Sequence, residues 1–129
     1  MKQVPVKSMV LIVFLLGSIW TPLAFSATDT TVEKILGDKD LYDGKEVTVP
    51  GSVSNLKFKT SKAGNEYTTF ALVGKSGDSI NVYVRKHLNL KKGQKVKVTG
   101  TYRKVKRVGR YTFYNEIDAT EILEENGHP

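Results

Sequence analysis

The chain contains no cysteine and only two histidines, His87 and His128. Disulfides, thiol nucleophiles and multi-histidine metal sites are thereby excluded. Neither a G-x-S-x-G elbow nor a phosphate-cradling glycine loop is present, and no segment repeats or drops into low complexity. The longest apolar stretch, residues 9–20, is shorter than the roughly 20 residues of a transmembrane helix, and Thr21 and Pro22 follow it. Acids are scarce in the middle: residues 57–110 carry 15 Lys/Arg against Glu66 and Asp78. The 129 residues make room for one domain. Without disulfides that domain stands on its apolar core alone.

What is present begins with an export pattern. Lys2 and Lys7 precede the apolar stretch, and Ala24-Phe25-Ser26 offers small residues at the −3 and −1 positions of a cut before Ala27. A cleaved signal peptide over 1–26 is expected, hence a periplasmic or secreted protein with no stable membrane insertion after cleavage. An uncleaved anchor is the competing reading. A cut site without cysteine rules out lipid attachment of the lipoprotein kind.

The formal net charge is +7. Its distribution is uneven: +13 over 57–110, −3 over 27–56 and −5 over 111–129. A field of one sign attracts polyanions or anionic surfaces. Lysines that keep strands soluble and unpaired give the same pattern.

Beyond the signal, Thr30 and Glu33 have capping-box spacing, Val32, Ile35 and Leu36 share a helical face, and Gly37 supplies a stop. A helix and turn are expected over 27–44, with Asp43-Gly44 leading into a strand. From there the period is two. Val47, Val49 and Val53 point inward, Pro50-Gly51 interrupts them, and Leu56 and Phe58 extend the strand. Phe70 and Leu72 mark a second strand, and Ile80, Val82 and Val84 a third. Residues 86–90 read as a helical turn. Val96 and Val98 mark a fourth strand bent at Gly100, and residues 104–109 form a basic connection. Phe113 and Ile117 are the inward residues of a fifth strand, and 124–129 a loose tail. Five short strands bent at glycines make a small antiparallel barrel or sandwich, and the two bends favour the barrel.

The order of these pieces resembles an OB-fold domain of the nucleic-acid-binding, anticodon-binding-like type, and the small exported bacterial proteins built on one such barrel. The matching residues are Val47-x-Val49-x-Gly51-x-Val53, Phe70-x-Leu72, Ile80-x-Val82, Leu90 through Gly93 to Val96-x-Val98 and Gly100, and Tyr111-x-Phe113. The resemblance implies an all-β, five-stranded antiparallel OB-type Greek-key barrel over 45–123, preceded by a short helix. It also implies a ligand along strands two and three, between the loops joining strands one to two and four to five.

On that face the resemblance puts Lys57, Lys59 and Lys62 in the first loop and Lys104, Lys106, Arg107 and Arg110 in the second. Tyr67, Tyr83 and Arg85 lie between them, along with Thr69 and Asn81. Cations that track phosphates and rings that stack bases suit single-stranded nucleic acid. The plainer account is an ordinary cross-strand pair for Tyr67 and Tyr83, solvated lysines, and Tyr102, Tyr111 and Tyr114 packing at barrel ends. Asp38, Asp40 and Asp43 miss calcium-loop spacing and read as turn chemistry. With only Glu66 and Asp78 in the barrel segment, an OB-fold nuclease of the staphylococcal type is disfavoured. The expectation is a non-enzymatic binding module without metal or cofactor. Its partner is single-stranded nucleic acid or another polyanion. The alternative is an envelope or stress-related adaptor whose partner is a protein.

Overall fold

The computed structural model describes residues 26–125. The expected signal peptide, apart from Ser26, and residues 126–129 of the expected tail lie outside the described residues.

The elements are β1 (Thr28–Asp29), α1 (Val32–Gly37), α2 (Lys39–Tyr42), β2 (Glu46–Thr60), β3 (Glu66–Val73), β4 (Ser79–Val84), β5 (Lys95–Val108) and β6 (Tyr111–Glu124). The strand order is β1-β2-β3-β4-β6-β5, and β2 also pairs with β5, so β2 to β6 close into a barrel. Within the barrel the pairings are antiparallel except β4 with β6, where Asn81 opposes Glu116 and Tyr83 opposes Asp118 in parallel. Closure with that strand order is the OB-type Greek-key barrel. β1 adds a parallel fragment beside β2, with Thr28 opposite Val47.

Alternation builds the interior. Val47, Val49, Val53, Leu72, Ile80, Val82, Val96, Val98, Tyr102 and Ile117 are fully buried, and Val32 and Ile35 of α1 join them. β2 serves both halves of the barrel. Its first half pairs with β5, its second half with β3, and Ser52 opposes both Lys95 and Val73. Gly51 sits beside this pivot, where an added Cβ would come within 2.8 Å of the Leu72 side chain and the Val73 carbonyl. Gly100 makes the second bend. The β5–β6 register shifts there, and a Cβ would overlap the Asp118 carbonyl.

Several local expectations are corrected. The cap of α1 is Thr31, whose side chain accepts from the Lys34 N–H. Thr30 instead donates to the Tyr42 hydroxyl, and Glu33 accepts from Ser76 N–H and Oγ in the β3–β4 turn. Residues 86–90 form no helical turn. Buried Thr68 holds them across the barrel end, donating to Lys86 O at 2.7 Å and accepting from Leu88 N–H, and Leu90 is buried beneath. The basic stretch 104–108 is strand, not connection: β5 runs to Val108 and a two-residue turn, Gly109-Arg110, returns as β6. The sheet also reaches into the expected tail, with Glu124 opposite Val96 and Glu125 N–H donating to Lys95 O.

Phe58, which extends β2 as expected, is 47% exposed and lies against the His87 ring. One inward assignment fails. Phe113, 42% exposed, shares sequence parity with buried Ile117. Asn115, with φ of 56°, stands between them and ends the alternation that would have put both inside. Tyr102, expected to pack at a barrel end, is fully buried and belongs to the core.

Candidate ligand-binding face

The outward face of β2, β3 and β4 is set by register. Lys57 opposes Thr69, which opposes Tyr83, and Lys59 opposes Tyr67. Because side chains alternate, these residues share one face while Thr68, Phe70 and Val82 fill the core behind them. The Tyr67 and Tyr83 rings lie side by side, centroids 5.3 Å apart at 36°. The loop over 61–65 bounds one end, tightened by Ser61 N–H to Asn65 O and Asn65 N–H to Ser61 Oγ. The β5–β6 hairpin arm bounds the other. Asn81 Nδ2 donates to Tyr114 O, Asn115 Nδ2 to Ser79 O, and the Tyr102 hydroxyl to Asn115 Oδ1 at 2.6 Å. The last bond fixes the left-handed asparagine from inside the barrel, and burial first, then Asp43 and Asp40, pushes the Tyr102 hydroxyl up to about 12.

The cations divide into two groups. Among the described residues, the ion pairs use Arg103, Lys104 and Lys106. Lys57, Lys59, Lys62, Arg85, Arg107 and Arg110 take part in none. Lys104 Nζ bonds Asp40 at 2.8 Å and its backbone N–H donates to Asp43, so the acids that prompted a calcium reading face a lysine. That contact holds the Asp40 carboxyl below its usual range and the Lys104 ammonium above its own.

Lys106 is the more consequential case. Its Nζ lies 2.6 Å from Glu116 Oε1 and 2.7 Å from Asp118 Oδ1, 4.6 Å above the Tyr83 ring and 5.6 Å from the Phe113 ring. Burial pulls the ammonium down, but the bonds to Asp118 and Glu116 outweigh it and the net shift is upward. Burial pushes the Glu116 carboxyl up against the pull of Lys106. Glu116 is 7% exposed, and its Oε1 makes no hydrogen bond of good geometry besides this ion contact.

Two concavities open on the face. One of about 210 Å³ is lined by Asn55, Lys57, Lys59, Asn81, Phe113 and Glu116 among others. The second, about 430 Å³, is lined by Ser61, Asn65, Glu66, Tyr67, Tyr83 and Arg85. The structure therefore brings Lys57, Lys59, Tyr67, Tyr83 and Arg85 together. Lys57 and Lys59 stand on β2 rather than in the loop, where Lys62 does stand. Arg107 and Arg110 sit at the hairpin tip and line neither concavity. Lys104 and Lys106 are occupied by acids. Sequence reasoning missed Phe113, Tyr114 and Glu116 as groove residues. The available signal was Asn115, a residue type that tolerates positive φ, inside an otherwise alternating strand.

No protein-family model and no curated protein matches the chain. Solved structures do. A crystal structure of yeast Stn1 and Ten1 superposes with a TM-score of 0.58 at 14% identity, over 79% of this chain and 64% of that one. A protein of Leishmania major Friedlin assigned as an aspartyl-tRNA synthetase gives 0.57 at 18% identity, over 78% and 21%. A small single-stranded DNA-binding protein of Streptomyces coelicolor gives 0.48 at 18% identity, over 64% and 93%. This chain thus spans less than two thirds of the first two. At these identities the likeness is one of fold, and it agrees with what strand order and closure draw: the chain folds as an OB-type barrel.

Proposed function

We propose that the barrel binds single-stranded nucleic acid across β2, β3 and β4, as a non-catalytic module of an exported protein. The observation that supports this best is the Tyr67–Tyr83 ring pair flanked by cations without an acidic partner: Lys57 and Lys59 on β2, Lys62 in the adjoining loop and Arg85 past β4. Flat rings stack on bases of any sequence, and the cations track the phosphates. The hairpin arm adds exposed Phe113 and Tyr114 on the other side of the groove. The backbone fold is similar to part of a protein assigned as an aspartyl-tRNA synthetase, and the sequence pattern resembles nucleic-acid-binding barrels.

A second reading rests on the hairpin tip, where Val108 and Tyr111 are exposed beside Arg107 and Arg110. Exposed apolar groups at a tip suit a protein partner. The deciding experiment expresses the full chain with its own N-terminal segment and first reads the mass of the product. A mature chain starting at Ala27 supports export. Fluorescence polarisation then follows a labelled single-stranded oligonucleotide, with a salt titration, heparin as competitor, and the Tyr83→Ala variant. Each stacked base is worth about 1–3 kcal/mol, so Tyr83→Ala is expected to weaken binding by roughly tenfold or more. Salt-sensitive binding indifferent to Tyr83 and displaced by heparin reduces the site to a general polyanion patch. No binding at low salt overturns the proposal in favour of the protein partner.

A further inference from the structure

The 210 Å³ concavity carries chemistry that stacking and phosphate contacts do not use. Glu116 and Asn81 oppose each other in the parallel β4–β6 ladder, on the outward face. Neighbouring strands lie about 4.8 Å apart, so an amide and a carboxylate stand side by side along one wall. Phe113, on the hairpin arm, lines the same hollow with an exposed ring, and Lys57 and Lys59 line its β2 side. A carboxylate in a phosphate-binding groove would ordinarily repel the ligand. Here Lys106 already balances it at 2.6 Å, with Asp118 sharing the same ammonium. What remains is a nearly buried carboxylate whose Oε1 is taken by Lys106, leaving the lone pairs of Oε2 as the acceptor that faces the hollow.

We infer that this hollow is a base-reading subsite selective for guanine, with Glu116 accepting hydrogen bonds from the base edge, Asn81 donating to it and Phe113 stacking on its face. The inference rests on the nucleic-acid reading above. Its basis is a donor–acceptor match. The Watson–Crick edge of guanine presents a carbonyl acceptor, O6, followed by two adjacent donors, N1–H and N2–H₂. An amide donor beside a carboxylate acceptor is complementary to that order. Thymine presents acceptor, donor, acceptor, which leaves a carbonyl facing the carboxylate. Adenine and cytosine each offer one amino group and so fall between. A carboxylate oxygen that accepts from a base N–H forms a charge-assisted contact. The volume suits a ring rather than a drug-sized ligand, for which pockets run to about 300–1,000 Å³. The Asn81 contact to Tyr114 O, at 3.4 Å, is long enough to be exchanged for a shorter one.

The test compares a labelled oligothymidine with the same strand carrying one central guanine, by fluorescence polarisation with the full chain at low salt. A flexible strand can shift register to seat its one guanine, so the guanine strand is expected to bind about tenfold tighter, the scale of one good bidentate base contact. Glu116→Gln, which replaces an acceptor with a donor opposite N2–H₂, is expected to erase that ratio. It should leave oligothymidine affinity the same or higher, since a negative charge is removed. A merely structural role for Glu116 would move both strands together and preserve the ratio. If circular dichroism shows that Glu116→Gln does not fold, Asn81→Ala decides, with the ratio again expected to fall. Equal binding of the two strands by the unaltered protein overturns the subsite and leaves the nucleic-acid reading standing, as does a ratio that survives in the folded variant. Failure of both strands to bind overturns the reading itself.

Discussion

The two sides of the groove carry similar numbers of cations and use them differently. On the β2 side, Lys57, Lys59 and Lys62 stand without acidic partners and face solvent. On the hairpin side, Arg103, Lys104 and Lys106 are held by Asp118, Asp40 and Glu116. Charge counted along the chain gives both stretches to a polyanion. Charge counted in space leaves one set free and assigns the other to the fold. A cation contributes to capture only if releasing it from its present partner costs little, and Lys106 is bound to two carboxylates and a ring.

The sharpest way to break this comparison is Lys106→Ala. It strips a nearly buried carboxylate of its counter-ion, a change that costs about 3–5 kcal/mol in fully buried sites. Because the Lys106 side chain keeps 17% exposure, the expected loss is at the low end, about 3 kcal/mol, read as a lower urea midpoint. Adding Glu116→Gln is expected to recover much of it. An unchanged midpoint with reduced oligonucleotide affinity would place Lys106 with the free cations instead.

The next effect belongs to the other side. Replacing Lys57, Lys59 and Lys62 together by alanine is expected to flatten the dependence of log affinity on log salt by about 2, since each phosphate contact to a single strand contributes about 0.7. Lys104→Ala is expected to leave that slope alone. Equal changes for both would erase the distinction.

pH probes the root of the hairpin. The Tyr102 hydroxyl is raised from 10.0 to about 12 by burial first and by Asp43 and Asp40 second. A group raised in the fold keeps its full contribution below its unfolded value and loses it as pH climbs through the folded one. Stability is therefore expected to hold below pH 10 and to fall between 10 and about 12, read as melting midpoints across that range. Tyr102→Phe should flatten the alkaline decline, although it also removes the bond to Asn115. The smallest effect is on the acid side. Asp40 is lowered by Lys104, so its contribution is present above its ordinary 3.8 and fades as pH drops below it. Asp40→Asn should remove only that shallow part of the acid limb.

How much of this was legible in the sequence depends on the range of the interaction. Val47, Val49 and Val53 of β2, Val96 and Val98 of β5 and the Ile80-x-Val82-x-Val84 run are inside because alternation is a local code, and it also put Tyr67 and Tyr83 on one outward face. The bends at Gly51 and Gly100 were legible because a strand shared by two half-sheets must turn where side chains are absent. Pairings such as Lys104 with Asp40, separated by 64 residues, leave no local trace. The stretch 104–108 looked like a loop because its inward residues thin out where the hairpin leaves the barrel. Phe113 was misplaced by a single backbone torsion at Asn115, which reverses the faces without changing the hydrophobic pattern. The capping residue was displaced by one position because Thr30 and Thr31 are both competent caps, and the choice fell to Thr31 once Thr30 had turned to Tyr42.

The parallel pairing of β6 with β4, alongside its antiparallel pairing with β5, has a consequence for synthesis. Residues 117–119 are hydrogen-bonded on both sides, and no earlier strand joins β4 to β5. A nascent chain that has not yet delivered this stretch holds an open three-stranded sheet and a β5 paired only to β2, each with a bare edge. A chain without this stretch cannot close the barrel, and one interrupted before residue 116 is left with strand edges exposed to its neighbours.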